Sequence, residues 1–186
     1  MKKVLPFIIF ATAATAATAA SRGAPRFDAV TSIGDVLQFM IPVSAMAYSV
    51  AIDDWQGVGQ LGLTAGSTMA TTYALKYTVR EERPYQEEDT KGHTFPSGHT
   101  ALAFSGAGYW QMRYGWYVGA PMYAAAAFVG YSRTYARMHN WLDVAAASAI
   151  GIGFNYLFTT PYIPKGTQIS VSPTDGGAML RFNSQF

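Results

Sequence analysis

Three short stretches of this chain carry residues able to do chemistry on an anion. Lys76 is followed, after six residues, by Arg83-Pro84. Pro96-Ser97-Gly98-His99 runs without a break. Ser132-Arg133 is followed after five residues by His139, and His139 after three more by Asp143. The stretches hold three cations, two of the chain's three histidines, a glycine in a turn and a carboxylate. A guanidinium grips two phosphate oxygens at once, while a lysine acts as a point charge. Cations in this number suit an anion of more than one negative charge, and the imidazoles could break a bond to it. Such a set points to hydrolysis of a phosphate ester.

Each stretch also has a plainer reading. Lys76 stands where a helix would end, and a cation there answers terminal carbonyls or anchors the chain at a membrane interface. Arg80 is read that way, or as a partner of Glu81 or Glu82. Arg83 differs, because Pro84 drives it into extended backbone and so aims its guanidinium away from the helix. Ser97 suits the cap of a helix that begins at Gly98. That reading does not compete with anion binding. A helix start presents free amides and the positive end of the dipole, and Gly98 lets the backbone approach an anion closely. His139 and Asp143, four apart, share one face of a helix. The carboxylate can then hold one ring nitrogen and leave the other free to attack. Equally, Asn140 could cap that helix, with Asp143 as a favourable first-turn acid. The spacing leaves both open.

Together the stretches resemble the signature of the type 2 phosphatidic acid phosphatase superfamily: Lys-x6-Arg-Pro, Pro-Ser-Gly-His and Ser-Arg-x5-His-x3-Asp. Every defining position matches, in order, over residues 76–143, about a third of the chain. The resemblance implies an all-helical fold and a reaction without metal or cofactor. It implies that Lys76, Arg83, Ser97, Gly98 and Arg133 bind phosphate. It further implies that His139, oriented by Asp143, attacks phosphorus while His99 protonates the leaving oxygen. The family includes membrane lipid phosphatases, soluble bacterial acid phosphatases and vanadium-dependent haloperoxidases, so the resemblance narrows the chemistry more than the substrate. His93 and Arg137 stand outside the family pattern and are read as bystanders.

Composition bounds the rest. A chain of 186 residues is one domain's worth. Half the residues are hydrophobic and 13% are charged, against about 25% charged in an ordinary soluble domain. That is the balance of a membrane protein or a tightly packed helical bundle. A net charge of +2 implies no polyanionic partner, and nucleic acid is not expected. The absence of cysteine excludes disulfides and thiolate metal sites. At the N-terminus Lys2 and Lys3 precede an apolar run over 4–10 and an Ala/Thr run to Ala20. This is the layout of a secretory signal peptide cleaved near Ala19 or Ala20; the alternative is an uncleaved membrane helix. Either puts Ser21 outside the cytoplasm, since the positive end stays inside.

Five apolar segments follow, over 33–52, 61–77, 100–112, 116–131 and 142–158, of helical rather than strand-like length. Asp35, Gln38 and Pro42 interrupt the first. A charged loop over 80–97 carries the Arg83-Pro84 and Pro-Ser-Gly-His residues. Beyond Pro161 the alternation over 168–172, the turn-forming residues over 173–177 and a return over 178–182 suggest a hairpin. Only the first segment approaches the about 20 apolar residues of a membrane span. Yet four segments are nearly free of charge, and soluble helices usually carry a charged outer face. If Ser21 lies outside and each segment crosses once, Asp53, Asp54 and Arg113 fall inside. Lys76, Arg83, His99, Arg133 and His139 then fall outside together.

The expectation is an all-α bundle of about five helices over 21–160, after a signal peptide over 1–20 and before a hairpin-like tail over 161–186. An inner-membrane protein with a periplasmic site is favoured over a soluble periplasmic one. The expected activity is hydrolysis of a phosphate monoester or terminal pyrophosphate: a phosphorylated lipid if embedded, a small phosphate ester if soluble. The rivals are a vanadate-holding haloperoxidase, a non-catalytic binder of anionic lipid headgroups, and a metal hydrolase using His93, His99, His139 and Asp143. The last lacks a compact ligand spacing such as His-Glu-x-x-His.

Overall fold

Capping side chains set where the helices begin. Asp28 accepts from the amides of Val30 and Thr31 and starts α1 (Ala29–Ala51). Asp54 accepts from the Gly57 amide and starts α2 (Trp55–Val79). Ser97 starts α3 (Gly98–Tyr114). Gly115, with a φ of 96° that favours glycine, turns the chain into α4 (Trp116–Tyr135). Asn140 and Asp143 form a capping box at the start of α5 (Trp141–Phe158). After α5, β1 (Gln168–Thr174) and β2 (Gly177–Asn183) pair antiparallel, with Gln168 opposite Asn183 and Thr174 opposite Gly177. The computed structural model describes residues 26–81, 93–164, 168–174 and 177–183. The expected signal segment and Arg83 lie outside the described residues.

All five apolar segments are helices, and each helix outruns its apolar stretch. α1 continues through Pro42, which removes one helical hydrogen bond. Gly106 of α3 packs against that proline, and a Cβ on Gly106 would come within 2.7 Å of its nitrogen. α3 is the hub on which every other helix packs. Ten of its 17 residues are buried, among them Ala101, Ala103, Ser105, Gly106, Ala107 and Gly108. Small side chains let backbones come close. Gly151 of α5 shows how close, since a Cβ there would stand 2.8 Å from the Ser105 amide nitrogen.

The interior mixes an apolar cluster of Ile41, Leu61, Tyr109, Trp110 and Val129 with many small polar residues, and the exterior is apolar. Thr31, Ser49, Thr64, Thr68, Thr72 and Asn155 are buried. Ile33, Val36, Phe39, Met40 and Val43 on α1 are exposed, as are Leu142, Tyr156 and Leu157 on α5. α1 and α5 are long and apolar enough to cross a membrane.

At the end of α3 remote from His99, Arg113 meets Asp54. Its Nε donates to Asp54 Oδ2 at 2.8 Å and its Nη2 to Oδ1 at 2.5 Å, with both side chains only 3% exposed. Tyr114 OH donates to Asp54 Oδ2 at 2.8 Å. Burial would raise the Asp54 carboxyl, but Arg113, the Gly57 amide and Tyr114 together hold it below the usual carboxylate value. Removing one partner of such a pair strands a buried charge. Asp54→Ala is expected to cost about 3–5 kcal/mol of stability, read as a lowered Tm of the purified protein in detergent. An unchanged Tm would contradict this pairing.

Candidate active site

One carbonyl folds the turn between α4 and α5 back on itself. Arg133 O accepts from the Met138 amide at 3.1 Å and from the His139 amide at 3.4 Å. Arg137 takes a left-handed φ of 60° within that turn. His139 is thereby placed just before α5, with Asp143 in the helix's first turn. Asp143 Oδ2 accepts from Thr94 Oγ1 at 2.6 Å, from the Asn140 amide at 3.0 Å and from His139 Nδ1 at 3.3 Å. The Asn140 side chain accepts in turn from the Asp143 amide at 2.9 Å. The two contacts coexist, because the same oxygen caps the helix and faces the imidazole. The pair is buried, with side chains 6% and 0% exposed.

The hydrogen bonds also choose the tautomer of His139. Thr94 Oγ1 gives its single proton to Asp143 at 2.6 Å, a far shorter approach than the 3.4 Å to Met138 O. Toward His139 Nδ1, 3.2 Å away, the hydroxyl is then an acceptor. Both neighbours of Nδ1 are acceptors, so Nδ1 carries a proton, and Nε2 is the nitrogen turned away from the carboxylate.

The start of α3 is tied to the same place. Ser97 is buried, its amide donates to the Asp143 carbonyl at 3.2 Å, and its Oγ accepts from Thr100 Oγ1 at 3.0 Å. A Cβ on Gly98 would meet no atom within 4 Å, so the helix start admits close approach by an anion. His99, one residue on, directs Nε2 at Asp35 Oδ1 of α1 at 3.0 Å. Arg133 Nη1 donates to the same oxygen at 2.6 Å. Its Nη2 donates to Thr31 O at 2.7 Å and its Nε to Ser132 Oγ at 3.1 Å. These bonds fix a guanidinium whose residue is 1% exposed. They use three of its five donors, and two N–H groups remain for a ligand.

Lys76, in the last turn of α2, donates Nζ to His93 O at 2.8 Å and to Thr94 O at 3.4 Å. It thus steadies the segment that presents Thr94. One hydrogen-bonded network joins Lys76, Ser97, His99, Arg133, His139 and Asp143 at the end of the bundle where α2 and α4 finish and α3 and α5 begin. The His93 ring packs edge-on to Tyr77, with centroids 6.3 Å apart. Two members of this network, Asp35 and Thr94, lie outside the three sequence boxes. Asp35 did leave a signal, since a carboxylate that interrupts an apolar run is a candidate functional group. Thr94 left none, because its residue type and place in a charged loop are ordinary.

The profile of the PAP2 superfamily matches residues 57–164. A lipid A 4'-phosphatase of Helicobacter pylori is 36% identical over 143 residues, covering 72% of this chain and 71% of that protein. A lipid A 1-phosphatase of Porphyromonas gingivalis is 39% identical over 83 residues, covering 42% of this chain and 18% of that protein. Among solved structures, the crystal structure of Aquifex aeolicus LpxE aligns with a TM-score of 0.59 at 25% identity, covering 69% of this chain and 81% of that one. With the profile matching more than half its length and a relative matching across most of both chains, this protein belongs to the PAP2 superfamily.

Proposed function

We propose that this protein is a lipid phosphatase that removes a phosphate monoester from a membrane lipid through a phosphohistidine. The observation that carries the reading is the His139–Asp143–Thr94 arrangement, which engages Nδ1 and turns Nε2 away from the carboxylate at the bundle end where Arg133 and the start of α3 gather. The phosphate sits among Lys76, Arg133, Ser97 and Gly98, with Arg83 added from its place in the motif. These groups neutralise charge on the equatorial oxygens, the main demand of phosphoryl transfer. His139 Nε2 bonds to phosphorus as the ester P–O bond breaks. Asp143 stabilises the positive ring that forms, as a triad aspartate does. His99 gives its proton to the departing oxygen, then takes one from the water that cleaves the P–N bond.

The relatives named as lipid A phosphatases favour lipid A or a similar phosphorylated lipid as substrate. The apolar exterior of α1 and α5 supports a bundle embedded in the inner membrane. The site then lies at headgroup level, and Lys2 and Lys3 assign that side to the periplasm. An alkaline carbonate wash of cell membranes is expected to leave the protein in the pellet; its release to the supernatant would exclude an integral membrane protein.

Two further outcomes test the chemistry. His139→Ala is expected to abolish both phosphate release from lipid A and the acid-labile phosphoenzyme trapped in a rapid quench, while EDTA changes neither in the unaltered protein. Strong inhibition by EDTA would remove this mechanism. Asp143→Asn replaces an acceptor with an amide that can turn a donor toward Nδ1, forcing the ring proton onto Nε2. A loss in kcat of about 10⁴-fold is expected, the size found when a triad aspartate becomes asparagine. Thr94→Val, which leaves the carboxylate in place, is expected to lose much less.

A further inference from the structure

Asp35 is the single charged residue of α1, and it lies outside the 57–164 span matched by the family profile. Its Oδ1 accepts from His99 Nε2 at 3.0 Å and from Arg133 Nη1 at 2.6 Å. The helix carrying it is seated tightly there. A Cβ on the preceding Gly34 would stand 2.0 Å from Ser132 Oγ and 2.9 Å from Arg133 Nη2. A carboxylate on an otherwise apolar, outward-facing helix is expensive in a membrane unless it has a partner and a task. Here the partners are the two groups assigned above to the leaving oxygen and to the phosphate.

We propose that Asp35 is a positioning residue for the acid step, holding the His99 ring in place and supplying the countercharge that lets it enter the reaction as an imidazolium. The inference rests on the phosphatase reading above. Within the site it makes a second histidine–carboxylate pair. His139 meets Asp143 through Nδ1, and His99 meets Asp35 through Nε2. The two imidazoles have opposite tasks, and their carboxylates differ accordingly. Asp143 is buried and fixes a neutral ring for attack. Asp35 is 47% exposed, at the open side of the cradle. Burial first, and the Arg133 guanidinium after it, disfavour a proton on the His99 imidazole, and the carboxylate that touches both His99 and Arg133 opposes them. In the first step the His99 proton moves to the ester oxygen as P–O breaks and N–P forms, and the ring becomes neutral. In the second, water adds to phosphorus, N–P breaks, and the water proton returns to His99.

The test compares a lipid phosphate monoester with its bridging-sulfur analogue, which shares headgroup and tail but whose thiolate leaves without a proton. Asp35→Asn keeps shape and removes charge. It is expected to lower kcat on the oxygen ester about 100-fold, the scale of one general acid, with KM little changed. On the sulfur analogue the same variant stays within about threefold of the unaltered protein, matching the pattern of His99→Ala. Asp35→Glu restores part of the oxygen-ester rate. An equal loss on both substrates would assign Asp35 a merely structural role. A lower KM with undiminished kcat would make it a competitor for the phosphate seat. Either outcome overturns the proposal. If the unaltered protein hydrolyses neither substrate, the phosphatase reading itself falls, and that result is distinct from both.

Discussion

One oxygen, Asp143 Oδ2, ties the fold to the site. It closes the capping box of α5, receives the Thr94 hydroxyl from the segment before α3, and receives the imidazole of His139. The backbone of the same residue accepts from Ser97, the cap of α3. None of these elements can shift without disturbing the others. The physical cause is the cost of a buried carboxylate, which is stable only when donors replace the water it has lost. Charge-assisted bonds of this kind contribute about 1.5–3 kcal/mol each, so several together hold the ion in place. Oδ2 receives all of these bonds, while the equally buried Oδ1 has no hydrogen-bond partner among the described residues; satisfying the one oxygen is what aims the imidazole.

The embedded bundle proposed above accounts for the rest of the packing. Between helices in lipid the hydrophobic effect offers no net drive, and association rests on close packing and interhelical hydrogen bonds. The small residues of α3 supply the first. Asn155 Nδ2 to Ser105 O at 2.9 Å and Ser49 Oγ to Tyr109 OH at 2.7 Å supply the second. Threonine, serine and asparagine beside a small apolar cluster inside, under an apolar exterior, fit that proposal. Such an exterior would leave a soluble protein with a wide greasy surface. The same logic puts charge at the ends. Apart from Asp35 and Asp143, both near the site, α1 and α5 carry no acidic or basic residue.

The sequence made the five helices legible because their apolar runs are long and the breaks between them polar. Their ends were less legible. α2 begins at Trp55, six residues before the apolar run, because Asp54 caps it and Gln56, Gly57 and Gln60 dilute the pattern. α4 runs on to Tyr135, carrying Arg133 into its last turn. Pro42 was read as an interruption, yet α1 passes through it, with α3 packed on the proline. The boxes identified His99, Arg133, His139 and Asp143, whose spacing survives in one dimension. Asp35 and Thr94 belong to the same network but reach it across 98 and 49 residues of chain, to Arg133 and Asp143 respectively. Contacts of that range follow from packing, which no local pattern records.

The bundle holds a buried arginine at each end, and comparing them shows why an anion would choose one. Arg113 meets a carboxylate as buried as itself, and its Nη1 donates to Thr160 O at 2.8 Å beneath the Tyr162 ring. Its charge is cancelled at close range in a low-dielectric setting. Arg133 is equally buried, but its carboxylate is half exposed, where water weakens the attraction, and Nη2 meets only a neutral carbonyl. The α3 N-terminus adds its own positive dipole end beside His99. The charge of Arg113 is therefore answered more fully than that of Arg133. An arginine marks an anion site only where its countercharge is incomplete, and the placement of Asp35 at the rim rather than in the core makes it so.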